Sequence, residues 1–447
     1  MIVGIDINQQ HLDVAQTALH SSDHRVELRQ GDFYALDGQS LVTEVNAPWL
    51  ILGNPPWVTN ASLSVIGKDN LPKKSNFHER SGIEAITGKS NFDVSEWMIL
   101  RCLTWVQESS GVVAMLCKTS VARKVLLQTW KNKMPPRSAY LYKIDALHWF
   151  GAAVDACFIV IDVEPANQVQ IPTCDIFDGL DSEHPTQTIS YVDGYIVSDL
   201  TTYAKHRSLL GRPEDQFVWR SGIKHDCAKV MELRTTSIGY QNGLGERVVL
   251  EDAMVFPLLK SSDIGNGRID CRGAMVVTQK AVGQETASIK TTAPLTWAYL
   301  QRHAMLFEKR GSTIYKGKHA FSIFGVGPYS FAPWKVAISG FYKHLQFVKV
   351  GPVDGRPVVF DDTVYFLPCQ SEEEAHFIIA LFCSQPAQEL LNAMIHWDEK
   401  RPISADILRR LSVRRLALHL GREQDYRRFA NGDMALIQHA NSVRASN

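Results

Sequence analysis

The chain turns on Pro48-Trp49-Leu50-Ile51-Leu52-Gly53-Asn54-Pro55-Pro56-Trp57-Val58-Thr59-Asn60. Its apolar start, Trp49 to Leu52, reads as a strand buried in a parallel sheet, and it ends in a stiff turn of polar and aromatic residues. Two consecutive prolines fix φ and remove two backbone donors. The carbonyls of Asn54 and Pro55 therefore cannot be absorbed by a continuing ladder or helix and are left to face a ligand. An amide side chain and a flat indole beside them suit an exocyclic amino group on a planar heterocycle, the chemistry of a base taken out of its stack.

Around this stretch, residues 1–164 alternate apolar strands with helical patterns. Met1 to Ile7, Val26 to Gln30 and Val112 to Cys117 read as strands, and Gln9 to His20 carries Leu12, Ala15 and Leu19 at helical spacing. Asp93 is placed as an N-cap with Glu96 three residues on, opening a helix that holds Trp97, Leu100, Leu103 and Val106 and stops at Ser109-Ser110-Gly111. Ala146 to Phe150 and Ala156 to Val163, either side of Gly151-Ala152-Ala153, are expected as a closing antiparallel pair. Repeated strand-helix units predict an open, mostly parallel sheet with helices on both faces and ligands at the carboxyl ends of the strands. Between Val58 and Phe92, Lys68, Lys73, Lys74 and Arg80 stand among Gly, Pro, Asn and Ser; the stretch is either a solvated loop or a lid that touches phosphates.

Residues 165–237 are polar and punctuated and read as a connecting segment. From 238 to the mid-360s the pattern is β-rich, with Val255 to Leu258, Met275 to Thr278, Val336 to Ser339 and Thr363 to Leu367 as strands. Helical patterns then begin at Ser371 and Ala387. From Lys400 onward ten Lys and Arg stand against four Asp and Glu, either a helix face on a basic edge or a phosphate-contacting surface.

At 447 residues, 45% hydrophobic and 21% charged, the chain has the composition of an ordinary globular protein with two or three cores. Lys plus Arg and Asp plus Glu are 47 each, so any nucleic-acid surface must be local. The eight cysteines are scattered without a Cys-x-x-Cys and read as reduced, mostly buried thiols, with no metal framework. The absence of a long apolar run or a signal peptide predicts a cytoplasmic protein without a membrane partner.

Asn54-Pro55-Pro56-Trp57 after an apolar strand resembles motif IV of the DNA adenine-N6 methyltransferases. In the same order as that family's blocks, Val3-Gly4-Ile5-Asp6-Ile7-Asn8 resembles motif II and Gly31-Asp32-Phe33 resembles motif III. The Asp93 to Gln107 helix resembles motif V. Gly111 to Ser120 is similar to the fifth strand, with Lys118-Thr119-Ser120 replacing the usual Pro-containing end, and His148-Trp149-Phe150-Gly151-Ala152-Ala153-Val154 resembles motif VIII. The resemblance implies a Rossmann-like S-adenosylmethionine-dependent α/β sheet followed by an α+β target-recognition-like domain. It further implies transfer of a methyl group to adenine N6 in double-stranded DNA with a flipped adenine, in a restriction-modification system.

By the same resemblance, Asp6 and Ile7 hold the ribose and adenine of S-adenosylmethionine, and Asp32 and Phe33 hold its adenine. Asn54 and Pro55 accept the two N6 hydrogens within the catalytic tetrapeptide completed by Pro56 and Trp57, and Trp57 and Phe150 stack on the extruded base. In the second domain Leu258 to Ile264, Arg310 to Lys316, Phe331 to Val336 and Asp361 to Thr363 carry a looser likeness. Arg310, Tyr315, Lys316 and Lys335, with Lys73 and Lys74 of the lid, are the expected DNA contacts.

The pattern lacks motif I, the Gly-x-Gly at the end of the family's first strand. Phe324-Gly325-Val326-Gly327 has the letters, but Pro328 follows it in place of a helix. The resemblance therefore implies a truncated, split or decayed enzyme, and in the split case a second polypeptide that supplies the first strand. Rival readings are a DNA-binding or assembly subunit, and N-methylation of RNA or of a protein glutamine. No nuclease constellation stands out.

Overall fold

Residues 2–19, 26–43, 48–58, 93–107, 110–132, 136–164, 172–211, 217–237 and 239–430 are described by a computed structural model. The chain divides into two units, Met1–Val197 and Ser198–Asn447.

The first unit opens with β1 (Ile2–Asp6), α1 (Gln9–Ala18) and β2 (Val26–Gln30), the two strands pairing in parallel from Ile2↔Val26 to Asp6↔Gln30. Asn8 caps α1 by accepting from the Gln10 N–H at 3.0 Å. After α2 (Gly38–Thr43) come β3 (Trp49–Gly53), α3 (Val94–Val106), β4 (Gly111–Lys118), α4 (Thr119–Lys131), β5 (Ser138–Ile144), α5 (Ala146–Phe150) and β6 (Ala156–Val163). Three short strands, β7 (Thr173–Phe177), β8 (Gln187–Val192) and β9 (Tyr195–Val197), complete a seven-stranded sheet in the order β3-β4-β6-β5-β7-β8-β9.

The expected mostly parallel sheet is mixed. β3–β4 and β5–β7 are parallel, while β4–β6, β5–β6, β7–β8 and β8–β9 are antiparallel. β6 runs back between β4 and β5, and short turns then add β8 and β9 as a meander, connections that need no crossover helix. Helices were expected on both faces; α3 and α4 pack on the same one. Ile99, Leu103 and Val106 of α3 and Val121, Val125 and Leu126 of α4 lie on Val113, Met115, Cys117, Cys157, Ile159 and Ile161 in one core. Truncating Ile99 or Leu126 to Ala there would cost about 2–5 kcal/mol. On the opposite face Leu50 and Leu52 are exposed, and Val112, Leu116, Phe158 and Val160 are half-buried.

The segment expected as a connector is divided between the units. Residues 173–197 are strands of the first sheet, and 198–237 belong to the second unit. β7 and β8 lie inside the sheet and β9 is its edge, and much of each faces water, so their polar composition resembles that of a loop; Cys174, Ile176, Phe177, Ile189, Ser190 and Val197 are buried.

Ala146–Phe150 is a helix, where a strand was expected. Asp145 caps it by accepting from the His148 N–H at 2.9 Å, and Gly151 closes it at φ 63°, the left-handed conformation that glycine adopts without penalty. A five-residue apolar run has no period long enough to distinguish helix from strand; the caps carried the signal.

In the second unit, β10 (Arg220–Ser221), β19 (Val364–Cys369), β16 (Trp334–Ser339) and β17 (Val348–Val350) form one sheet in that order. A second sheet runs β13 (Arg247–Val248), β12 (Gly239–Asn242), β11 (Glu232–Thr236), β15 (Gly273–Val276), β14 (Val255–Leu259) and β18 (Val359–Phe360). Leu233, Leu258, Met275 and Leu300 build one core; Leu259, Ile264, Phe360 and Phe366 build another. The helices expected from Ser371 and Ala387 are α6 (Glu372–Phe382) and α7 (Gln385–Met394). Val326 of the rejected glycine segment lies in the first of these cores. Among the described residues no helix is long and apolar enough to cross a membrane.

Candidate active site

Pro55 and Pro56 end β3. The parallel ladder stops at Gly53↔Met115, and the chain turns out with Asn54 and Pro56 exposed and Pro55 buried. Among the described residues no hydrogen bond engages the Asn54 amide or the Pro55 carbonyl. Trp57 is held at two atoms instead. Its indole Nε1–H donates to the Leu116 carbonyl on β4 at 3.2 Å, and its own carbonyl accepts from Lys118 Nζ at 2.8 Å. Its ring meets Phe150 edge to face, centroids 5.7 Å apart, so α5 brings the second expected stacking residue to the turn with 51% of its surface exposed.

Lys118 also reaches Asp93 Oδ2 at 2.7 Å, while Asp93 Oδ1 accepts from Ser95 N–H at 3.2 Å and Ser95 Oγ–H at 2.6 Å. Asp93 is thus the N-cap of α3, as its spacing predicts, and a partner of a cation. The Val94 N–H donates to the Val58 carbonyl at 3.0 Å, a second link from the turn to this helix. Sequence reasoning noted Lys118 as a departure from the family and missed its role. The available signal was a lysine at the carboxyl end of a buried strand, where a cation is stable only with partners.

The other expected site residues sit at the ends of β1 and β2, drawn together by the Gly31 N–H donating to the Asp6 carbonyl at 3.0 Å. The Asp6 carboxylate accepts from Asn8 N–H at 2.7 Å and lies 3.3 Å from His11 Nδ1. The backbone N–H first, then the imidazole, hold it below the usual carboxylate range despite some desolvation. Ile7 beside it is 57% exposed, an apolar side chain with an open surface. Asp32 accepts from Tyr34 N–H at 2.9 Å. Phe33 is half-buried, with its ring 6.1 Å from Trp97 and 5.1 Å from Trp105 on α3. Arg101 lies over both of those indoles and donates to the Leu36 carbonyl at 3.0 Å, tying the stretch after Phe33 to the same helix.

The expected DNA contacts fare differently. Lys73 and Lys74, with the lid, lie outside the described residues. Lys335 is corrected: it is 1% exposed in β16, between β17 and β19, and its Nζ donates to the Ala332 carbonyl, so it cannot reach a phosphate. Arg310 and Tyr315 are half-buried and engaged with each other. The Arg310 guanidinium lies 3.6 Å from the Tyr315 ring centroid and donates to the carbonyls of Phe307 at 3.0 Å and Ser322 at 2.7 Å, a clamp that uses both side chains internally. Lys316 is exposed. Residue type cannot tell which strand face, ring or loop carbonyls a side chain meets, and that decided Lys335, Arg310 and Tyr315. The basic stretch after Lys400 is also used inward: Arg401, Arg409 and Arg415 donate to the carbonyls of Asp362, Trp219 and Leu210. All eight thiols are free, and burial pushes Cys102 up to about 12 and Cys271 to about 11.

The strands with a rigid Asn-Pro-Pro-Trp turn at a carboxyl end share their fold with the Type IIL restriction-modification enzyme MmeI, solved in complex with DNA. The likeness has a TM-score of 0.53 at 12% identity, over 89% of this chain and 51% of that one, so the chain spans about half of that enzyme's length. No protein-family model matches the chain. It is 42% identical over 418 residues to the Type II methyltransferase M.NspV of Nostoc sp., covering 93% of this chain and 86% of that protein. The chain belongs to the family of Type II methyltransferases.

Proposed function

We propose that this chain is a site-specific DNA methyltransferase of a restriction-modification system, transferring a methyl group from S-adenosylmethionine to adenine N6 in duplex DNA. The first unit is the catalytic domain in this reading and the second the recognition domain. The observation that carries it is the exposed Asn54 amide at the end of β3, followed by a Trp57 fixed through Leu116 and Lys118 and faced by Phe150. In the duplex an adenine amino group is stacked and paired, so the base has to be extruded to reach these groups. The Asn54 side-chain oxygen and the Pro55 carbonyl then accept the two N6 hydrogens, which turns the nitrogen lone pair outward. Trp57 stacks on a ring face, contributing about 1–3 kcal/mol, and Phe150, edge to face with Trp57, borders the base beside it. Alignment by fixed dipoles does the catalytic work, without a strong general base.

The residues at the ends of β1 and β2 fit the proposed donor. A carboxylate held ionised at Asp6, an exposed Ile7 and the neighbouring Asp32 and Phe33 suit ribose hydroxyls and a planar adenine. Bound there, S-adenosylmethionine supplies an electrophilic methyl group on a sulfonium. Tritiated methyl transfer to unmethylated plasmid DNA, wild type against Asn54→Ala, with digestion to nucleosides, tests the reading. N6-methyladenine from wild type alone supports it, while another methylated product, or equal transfer by both proteins, refutes it.

One observation favours a reading in which the chain acts with a further polypeptide. Among the described residues β1 and β3 each have a ladder on one side only, and Ile2, Leu50 and Leu52 are 62%, 63% and 67% exposed. Unpaired edges with apolar side chains favour strand addition. In this reading another strand pairs there and completes the cofactor site. Cofactor then binds the isolated chain with a dissociation constant above about 10 μM by calorimetry; tighter binding overturns it.

A further inference from the structure

We infer that Lys118 is a positioning residue for the Asn54–Trp57 turn, acting through one ammonium that holds both the turn and the helix beside it. This rests on the proposed function and adds a role to a residue of the Lys118-Thr119-Ser120 end, which stands where the resembled family has a Pro-containing one. Lys118 Nζ donates to the Trp57 carbonyl at 2.8 Å and to Asp93 Oδ2 at 2.7 Å, with the Lys118 side chain 24% exposed and that of Asp93 7%. Two consecutive prolines leave this turn without the donors that would tie it to β4, so it needs anchors from outside. The Trp57 indole N–H supplies one and the Lys118 ammonium the other. Asp93 balances the cation and, through Ser95, starts α3, whose Val94 N–H returns to Val58. The turn, the end of β4 and the start of α3 are thus one hydrogen-bonded knot, and an error in the Lys118 side chain displaces Asn54 and Trp57 together.

The pair also has a charge role. Transfer breaks the donor's sulfur–methyl bond, leaves a neutral thioether and puts the positive charge on N6 until one N6 proton passes to water, so an unbalanced ammonium at the turn opposes the reaction. Removing the carboxylate while keeping the lysine is therefore worse for turnover than removing both charges.

Lys118→Met, Lys118→Arg, Asp93→Asn and the double variant Lys118→Met/Asp93→Asn separate these roles. Steady-state methylation of plasmid DNA is read together with amide hydrogen exchange of the peptide from Asp93 to Trp97. We expect Lys118→Met to lower kcat about 10–100-fold with DNA KM within about twofold, and to speed exchange at Val94 and Ser95. Lys118→Arg restores most of the turnover, and the double variant turns over faster than Asp93→Asn alone. Unchanged kcat and exchange in Lys118→Met overturn the inference. So does a loss that Lys118→Arg does not rescue and that accompanies melting of the whole first unit, since that is a purely structural role. If wild type transfers no methyl group, the proposed function fails, yet the exchange arm still tests the knot.

Discussion

Lys118 and Lys335 both end under cover in β-strands, and their surroundings are opposite. Lys118, at the end of β4, has a carboxylate, a backbone carbonyl and a quarter of its side chain in water. Lys335, the second residue of β16, has one backbone carbonyl and is 1% exposed; burial drops its pKa to about 7. A cation with partners can organise its neighbours. One without a counter-ion is held by the apolar core around it and sheds its proton at little cost in pH. The first is a property of a site, the second a tolerated expense of a core.

The sharpest way to break this contrast is at the turn that Lys118 holds. Asn54→Ala should lower methyl transfer by about 100–1000-fold or more while leaving the thermal melt within about 1 kcal/mol of wild type. A comparable loss of stability would make the turn structural and put it in the class of Lys335.

Lys335→Met should stabilise the protein by about 2–4 kcal/mol at pH 6 in urea melts. Between pH 7 and the ordinary lysine value of 10.5 the unfolded chain holds a proton that the folded chain has released, so stability rises with pH across that window. Below it both states are charged and the cost of burial is complete. The advantage of Met should therefore shrink toward pH 10, and a gain that does not depend on pH would show that Lys335 stays charged in the core.

Arg310 and Lys316 grade the contrast further. Arg310 is half-buried, bonded to carbonyls and stacked on Tyr315, so Arg310→Ala should destabilise the second unit by about 2–3 kcal/mol, read as a lower denaturation midpoint. Lys316→Ala, at an exposed position, should leave stability unchanged. If the recognition assignment is right, it should weaken DNA binding by about 1 kcal/mol or less and reduce the salt slope by about one. A Lys316 variant with unchanged salt dependence places the DNA surface elsewhere.

Local chemistry made the centre of the first unit legible. The Asp93 cap, the β3 run and its proline stop, and the strands at Ile2–Asp6, Val26–Gln30 and Gly111–Lys118 depend on residues within a few positions of one another, where composition and period act directly. The strands between 173 and 197 were illegible because they are short and half-wet, with few apolar residues. The helix at Ala146–Phe150 was hidden by its length.

The sequence by itself determined an α/β unit with an Asn-Pro-Pro-Trp turn at a strand end and a β-rich second unit, because prolines, caps and apolar runs constrain the backbone wherever they stand. Only the tertiary structure decided that the first sheet is mixed, that Phe150 meets Trp57, and that Lys118 ties the turn to α3 while Lys335, Arg310 and Tyr315 turn inward. A cation or an aromatic ring takes its role from whatever carbonyl, carboxylate or ring the fold brings within about 3 to 6 Å, and those partners are remote in sequence.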